Sequence, residues 1–233
     1  MSGSMNCFLL FILIQSFSTL HSAASDNPVV LVIGTRPEAI KMIPLYQALK
    51  KASIPVLLCS TGQHAQLLDD VFGLFDVRPD IALHIMKPGQ DLFYITTTVL
   101  ENMKEIFARV RPSLVVVQGD TTTAMASSLA AFYLKIPIAH VEAGLRSGNI
   151  YGPFPEEFNR KCITNVASYP FAPTRLAQQQ LIAEQVNLTS IFYTGNTVVD
   201  ALRLVLDKIH AGMVTPSPDL VMLINAQKQA GRT

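Results

Sequence analysis

Several absences bound what this chain can do. Of its 233 residues only three are cysteine, Cys7, Cys59 and Cys162. Their spacing gives neither a disulfide framework nor a metal-ligand pair, so Cys59 and Cys162 read as small apolar core residues. Excess charge of one sign is also missing. The 18 Lys and Arg against 17 Asp and Glu leave +1, which offers no electrostatic footprint for nucleic acid or an anionic membrane. The first strand-to-helix turn reads GTRPE and lacks the GxGxxG glycines that bring a dinucleotide pyrophosphate onto the backbone. His64 and His140 lack ligand spacing, so no metal is expected. No repeat of fixed period occurs. The run Phe8–Ile14 is too short to span a bilayer.

That run is followed by polar QSFSTLHS and the small residues Ser22, Ala23 and Ala24. Residues 1–24 resemble a secretory signal peptide, although no Lys or Arg precedes the run. They are set apart from the fold. The rest of the chain is a regular alternation. Short apolar runs at Val29–Ile33, Val56–Cys59, Ile81–Ile85, Leu114–Val117, Ile136–Val141, Tyr169–Ala172 and Ile191–Thr194 read as buried strands. Between them lie segments of helical spacing, the longest Leu92–Val110, and turns marked by Gly, Pro or Thr caps. This pattern predicts an α/β fold, a doubly wound parallel Rossmann-like sheet with helices on both faces, over residues 25–210. After His210 the pattern breaks. Pro216 and Pro218 mark residues 211–233 as a linker and truncated tail, in which Val221–Ile224 (VMLI) reads as the opening of a strand.

The stretch Val115–Arg160 places three acids at the ends of successive βα units. Ligands of open α/β sheets bind outside the carboxyl ends of the strands. Asp120 there reads as a helix N-cap, a metal ligand or a phosphoacceptor. Glu142 ends a buried strand and must be paired or functional, with Arg146 as the partner in reach. Glu156 and Glu157 open a helix, where acids also suit the dipole. In the first turn, Arg36 and Lys41 read either as solvated side chains or as cations for a phosphate near a helix N-terminus.

Taken in order, GTRPEAIKMIPL, TGQH, MKPGQ, QGDTTT, HVEAGLRSGNIYGPFPEEFNR and FYTGNTVVDAL resemble the non-hydrolysing UDP-N-acetylglucosamine 2-epimerases. The resemblance covers about Val29 to Leu206. It implies the N-terminal half of a glycosyltransferase-B-like fold of two Rossmann-like domains, with the nucleotide sugar in the cleft between them. It implies interconversion of UDP-N-acetylglucosamine and UDP-N-acetylmannosamine by anti elimination of UDP and re-addition, without metal or redox cofactor. Asp120, Glu142 and Glu156 match the family's catalytic acids. Arg36 and Lys41 match residues near the UDP phosphates. Gln63, Gln66 and Gln90 match positions that contact a second, allosteric UDP-N-acetylglucosamine. A homodimer in the cytoplasm is implied, whereas a genuine signal at residues 1–24 would direct the chain to the secretory pathway.

The resemblance also implies a second domain carrying a catalytic histidine and the groups that hold uridine. The sequence ends where that domain would begin. The expectation is therefore a weakly active or inactive half of an epimerase. The alternative is a non-catalytic remnant that binds a nucleotide sugar or a partner. A dehydrogenase of similar fold is disfavoured by the missing glycine fingerprint.

Overall fold

A computed structural model of the chain describes residues 27–62, 65–229 and 231. The signal-like residues 1–24, Cys7 among them, lie outside the described residues. Among the described residues, seven strands alternate with helices. The strands are β1 (Val29–Ile33), β2 (Val56–Ser60), β3 (Ile81–Ala82), β4 (Leu114–Gln118), β5 (Ile138–Val141), β6 (Tyr169–Ala172) and β7 (Phe192–Tyr193). The helices are α1 (Arg36–Lys51), α2 (Ala65–Phe75), α3 (Leu92–Val110), α4 (Thr122–Tyr133), α5 (Glu156–Val166), α6 (Arg175–Ala183), α7 (Val198–His210) and α8 (Pro218–Gln229). All strand pairings are parallel, in the order β3-β2-β1-β4-β5-β6-β7.

Strand β1 is apolar throughout because both of its faces are covered. Val29, Leu31 and Ile33 enter one core with residues of α1, α2 and α7. Val30 and Val32 enter the opposite core with residues of α3, α4 and α5. Each such fully buried side chain stabilises the fold by about 1.5–3 kcal/mol. Helix α4 reaches the sheet closely because its buried side is Ala124, Ala126, Ser127, Ala130 and Ala131. Its N-cap is Thr121, whose hydroxyl accepts from the Ala124 amide at 3.0 Å. Helix α3 is capped by Asp91 and stops at Arg111, in the left-handed region at φ 52, before Pro112.

Some strands are shorter than the apolar runs suggest. Strand β3 stops at Ala82, and the chain to Ile85 follows β2 only through Leu83 to Ser60 and Ile85 to Thr61 backbone bonds. Strand β5 starts at Ile138 because Pro137 has no amide proton and the Ile136 amide is spent closing α4, on the Ala131 carbonyl at 2.9 Å. The tail needs a larger correction. Val221–Ile224 is not a strand but the middle of α8. Ser217 supplies the start, its side chain accepting from the Leu220 amide at 3.3 Å, followed by Pro218 and Asp219 in the first turn. An apolar run with a cap, a leading Pro and no neighbouring strand edge folds locally, as a helix.

The chain leaves β1 toward β2 and β3, and later leaves β4 toward β5, β6 and β7. The order therefore reverses between β1 and β4. This switch point opens a crevice at the carboxyl ends of the two strands.

Candidate active site

One wall of the crevice is the β1–α1 turn. Glu38, one turn into α1, is 1% exposed. Its Oε2 accepts from the Gly34 amide at 3.0 Å, the Thr35 amide at 2.7 Å and the Thr35 hydroxyl at 2.7 Å. Its Oε1 accepts from the Thr121 hydroxyl at 2.8 Å. Burial pushes this carboxyl up, and the four hydrogen bonds only partly offset it. Two amides that could face a phosphate are thus committed to Glu38. An anion here would meet side chains, not the helix N-terminus as such. Gly34 must be glycine, since a Cβ there would lie 2.5 Å from Thr123 Oγ1 and 2.9 Å from Thr61 Oγ1.

The cations named from sequence differ in circumstance. Arg36 is the first residue of α1 and exposed. Its guanidinium has no ion pair or hydrogen bond among the described residues. Lys41 reaches across the switch point to β5, its Nζ lying 2.5 Å from Glu142 Oε2. Gln118, the last residue of β4, donates to the same oxygen at 2.7 Å. Glu142 Oε1 has no partner among the described residues. Glu142 also sits at φ 67, a left-handed conformation that costs an ordinary residue about 1–2 kcal/mol. Such strain concentrates where a side chain must be aimed. Arg146, the partner expected for Glu142, is elsewhere. Its guanidinium pairs with Glu184 at 2.6 Å and donates to Thr164 Oγ1 at 2.8 Å.

Asp120 follows β4 in the turn after Gly119. It is not the helix cap, which is Thr121. Its Oδ2 is 2.5 Å from Arg160 Nη2, and its backbone carbonyl accepts from Asn159 Nδ2 at 2.8 Å. Arg160 also donates to Glu157 at 3.0 Å. Glu157 is not the exposed dipole partner that its position suggests but is 0% exposed. Burial pushes its carboxyl up, yet the Ser147 amide, Arg160 and the Gly148 amide outweigh that, and the net shift is downward. Glu156 is half-buried at the start of α5, one turn before Arg160. Its carboxylate has no partner among the described residues.

Strand register explains the convergence. Gln118 pairs with Val141, so Asp120 and Glu142 leave adjacent strand ends. Helix α5 brings Asn159 and Arg160 to the first of them. His140, one residue before Val141, lies beneath. Its Nε2 is 2.7 Å from the Gly119 carbonyl and so carries the proton. Burial, with the charges of Arg146 and Arg160, lowers its pKa to about 4 against the pull of that hydrogen bond. His140 is thus a neutral prop under the Gly119–Asp120 turn.

Of the three glutamines named from sequence, Gln90 is the one whose side chain is among the described residues. Gln90 lies in the turn after β3, its amide bonded to the Lys87 carbonyl at 3.3 Å. Gln63 and His64 lie outside the described residues. Gln66 is in α2, and its side chain is likewise outside the description. Among the described residues no group of three His, Cys, Asp or Glu side chains could hold a metal ion. Cys59 is fully buried, its thiol pushed up to about 12 by burial.

The arrangement suits proton transfer. Asp120 and Glu142 each have one oxygen bound to a cation and one oxygen open among the described residues. A carboxylate with an open oxygen can accept a proton, and the Lys41 ammonium can serve an anionic ligand as it serves Glu142. Sequence reasoning missed Glu38, Gln118, Asn159 and Arg160, and gave Glu157 only a helix-dipole role. The Thr35-x-x-Glu38 capping box and the Glu157/Arg160 spacing of three were legible signals.

The family model for UDP-N-acetylglucosamine 2-epimerase matches residues 47–224. The UDP-N-acetylglucosamine 2-epimerase of Escherichia coli (strain K12) is 52% identical over 182 residues, 78% of this chain and 48% of that protein. In structure the chain is similar to the UDP-GlcNAc 2-epimerase from Neisseria meningitidis bound to UDP-GlcNAc. The TM-score is 0.76 at 45% identity, over 78% of this chain and 50% of that one. The UDP-GlcNAc 2-epimerase from Methanocaldococcus jannaschii, in complex with UDP-GlcNAc and UDP, gives a TM-score of 0.74 at 34% identity, over 85% of this chain and 53% of that one. The chain spans about half the length of the relatives it matches.

Proposed function

The chain belongs to the UDP-N-acetylglucosamine 2-epimerase family, and from that premise we propose that its switch-point crevice is the acid-bearing wall of a C2-epimerisation site. The substrate is UDP-N-acetylglucosamine, interconverted with UDP-N-acetylmannosamine. A carboxylate removes the C2 proton. The C2–H electron pair becomes the C1=C2 bond of 2-acetamidoglucal, and the C1–O bond to UDP breaks with its electrons leaving on the phosphate. Re-addition of UDP to C1 with protonation of C2 from the opposite face gives the epimer. Two faces need two proton-transfer groups. Asp120, Glu142 and Glu156 are the candidates, with Arg36 and Lys41 receiving the diphosphate. Gln63, Gln66 and Gln90 are proposed for a second nucleotide sugar.

The observation that carries this reading is the Lys41–Glu142 pair at 2.5 Å, set on the strand end next to Asp120. It joins an anion-competent cation to a carboxylate with an open oxygen. The matched relatives are about twice as long, and a second domain is expected to grip the uridine in the glycosyltransferase-B manner. These 233 residues by themselves are therefore expected to turn over little, the non-catalytic reading being the limiting case. The test is incubation with UDP-N-acetylglucosamine in deuterated water, followed by NMR. Slow deuterium incorporation at C2, abolished by Asp120→Asn and by Glu142→Gln, supports the assignment. Exchange that survives both substitutions sinks it.

A further inference from the structure

The buried Glu157 is unexplained by the acids alone. Its side chain is 0% exposed; the Gly148 amide also acts on the carboxylate, but Oε1 has no partner of normal hydrogen-bond geometry among the described residues. Its Oε2 accepts from the Ser147 amide at 3.1 Å and from Arg160 Nη1 at 3.0 Å. An ionised group with an orphan oxygen in the interior is a poor stabiliser, and an apolar pair of similar volume would serve the fold as well or better. The value of the pair must lie in what Arg160 does with its other nitrogen. Nη2 is 2.5 Å from Asp120 Oδ2. Arg160 is planar and forked, so fixing one nitrogen fixes the direction of the other. The next residue inward, Asn159, is 1% exposed and holds the Asp120 carbonyl at 2.8 Å. The main chain and the side chain of Asp120 are therefore both pinned from the first turns of α5.

We infer that Glu157 is a positioning residue for Asp120, acting through Arg160, which it locks so that the Asp120 carboxylate presents its free oxygen to the crevice. This rests on the epimerase reading for the use of Asp120, but the relay itself is a property of the chain. It also ties Asp120 to the loop after Glu142, because the Ser147 amide anchors Glu157 from that loop. A shift of Ser147 is felt at Asp120 through two ion-pair contacts. The dipole reading of Glu157 predicts none of this, since a dipole partner would act on the helix terminus and leave Asp120 alone.

The experiment separates the relay from the reaction. The intact 233-residue chain is labelled with carbon-13, and the side-chain carboxyl resonances of Asp120 and Glu142 are recorded in wild type, Glu157→Gln and Glu157→Asp. The second variant keeps the charge but is one methylene too short to hold Arg160, and it covers the case in which Glu157→Gln does not fold. The relay predicts that the Asp120 resonance moves or broadens in a folded variant while that of Glu142 stays in place. An unmoved Asp120 resonance in a folded variant overturns the inference, whatever the change in melting temperature. C2 exchange of UDP-N-acetylglucosamine is then measured on the same samples. A fall of about tenfold or more at saturating substrate, with half-saturation within about twofold, is the mark of lost positioning and not lost binding. If exchange falls only through weaker half-saturation, the positioning role fails. If Asp120 responds but the wild-type C2 exchange survives Asp120→Asn and Glu142→Gln, the relay stands and the epimerase assignment fails.

Discussion

His140 shows at single-residue scale how the site constrains its own chemistry. The ring is 0% exposed, Nε2–H is committed to the Gly119 carbonyl, and Nδ1 has no partner among the described residues. Protonation would create a buried donor without an acceptor, beside Arg146 and Arg160. Hence the pKa of about 4 against an unfolded value of about 6.5. Above pH 6.5 the ring is neutral in both states and contributes no pH dependence. Between 6.5 and 4 the unfolded chain takes up a proton that the native chain refuses, so stability falls as pH falls, by roughly 3 kcal/mol in all at most. Urea unfolding at pH 7, 6, 5 and 4.5 measures it. Subtracting the profile of His140→Gln, whose amide can still donate to Gly119, should isolate a loss confined to that window. Parallel profiles would show that His140 titrates natively. In the sequence His140 shows only that it lacks metal spacing, because a prop is defined by the carbonyl above it, and that carbonyl comes from another strand. Glu157 was hidden in the same way. Beside Glu156 at a helix start it has an adequate local reason to be acidic, and only burial separates the two.

At the scale of elements, the crevice is held by a tie between two helix starts. Glu38 closes the capping box of α1 and also takes the Thr121 hydroxyl, which is itself the cap of α4. One carboxylate therefore fixes the N-termini of helices on opposite faces of the sheet. Substitution should discriminate sharply. In Glu38→Gln the amide oxygen can replace Oε2 toward Gly34 and Thr35, and the amide nitrogen can donate to Thr121, so the loss should be about 1 kcal/mol. Glu38→Leu leaves buried donors on both turns bare, and roughly 3 kcal/mol or more should be lost. Denaturant midpoints of the two variants test this, and equal losses would refute the tie. The elements themselves were largely legible. Val29–Ile33, Leu92–Val110 and Glu156–Val166 stand where periodicity and caps put them. Edges were not legible, since Ile81–Ile85 and Ile191–Thr194 look like strands but have only one neighbour with which to bond. Val221–Ile224 misled for a related reason. An apolar run of four residues does not declare its period, and the deciding signal was Ser217-Pro218-Asp219 before it.

For the molecule as a whole, net charge decides nothing, because +1 attracts no anion from a distance. Any affinity for a nucleotide diphosphate must come from cations placed locally. Reading the fold from sequence sufficed to put Arg36 and Lys41 at the end of β1 and the acids at the ends of β4 and β5. It did not show that Lys41 is already paired with Glu142 at 2.5 Å, nor that the Gly34 and Thr35 amides are consumed by Glu38. Those facts change what binding should look like. On the proposed reading, a diphosphate would have to draw Lys41 from Glu142 and use side chains in place of the helix terminus. Ligand binding raises stability by RT ln(1 + [L]/Kd), which for a chain of this size is about 2–4 °C in melting temperature per kcal/mol. The expected order of thermal shifts is therefore UDP above UMP above uridine, with uridine near zero because no cation serves it. Lys41→Met should remove most of the difference between UDP and uridine. Glu142→Gln should enlarge the UDP shift, since it takes away the carboxylate that competes for Lys41 and repels phosphate. A UDP shift that Lys41→Met leaves intact, or that Glu142→Gln weakens, would place the diphosphate somewhere other than the switch-point crevice.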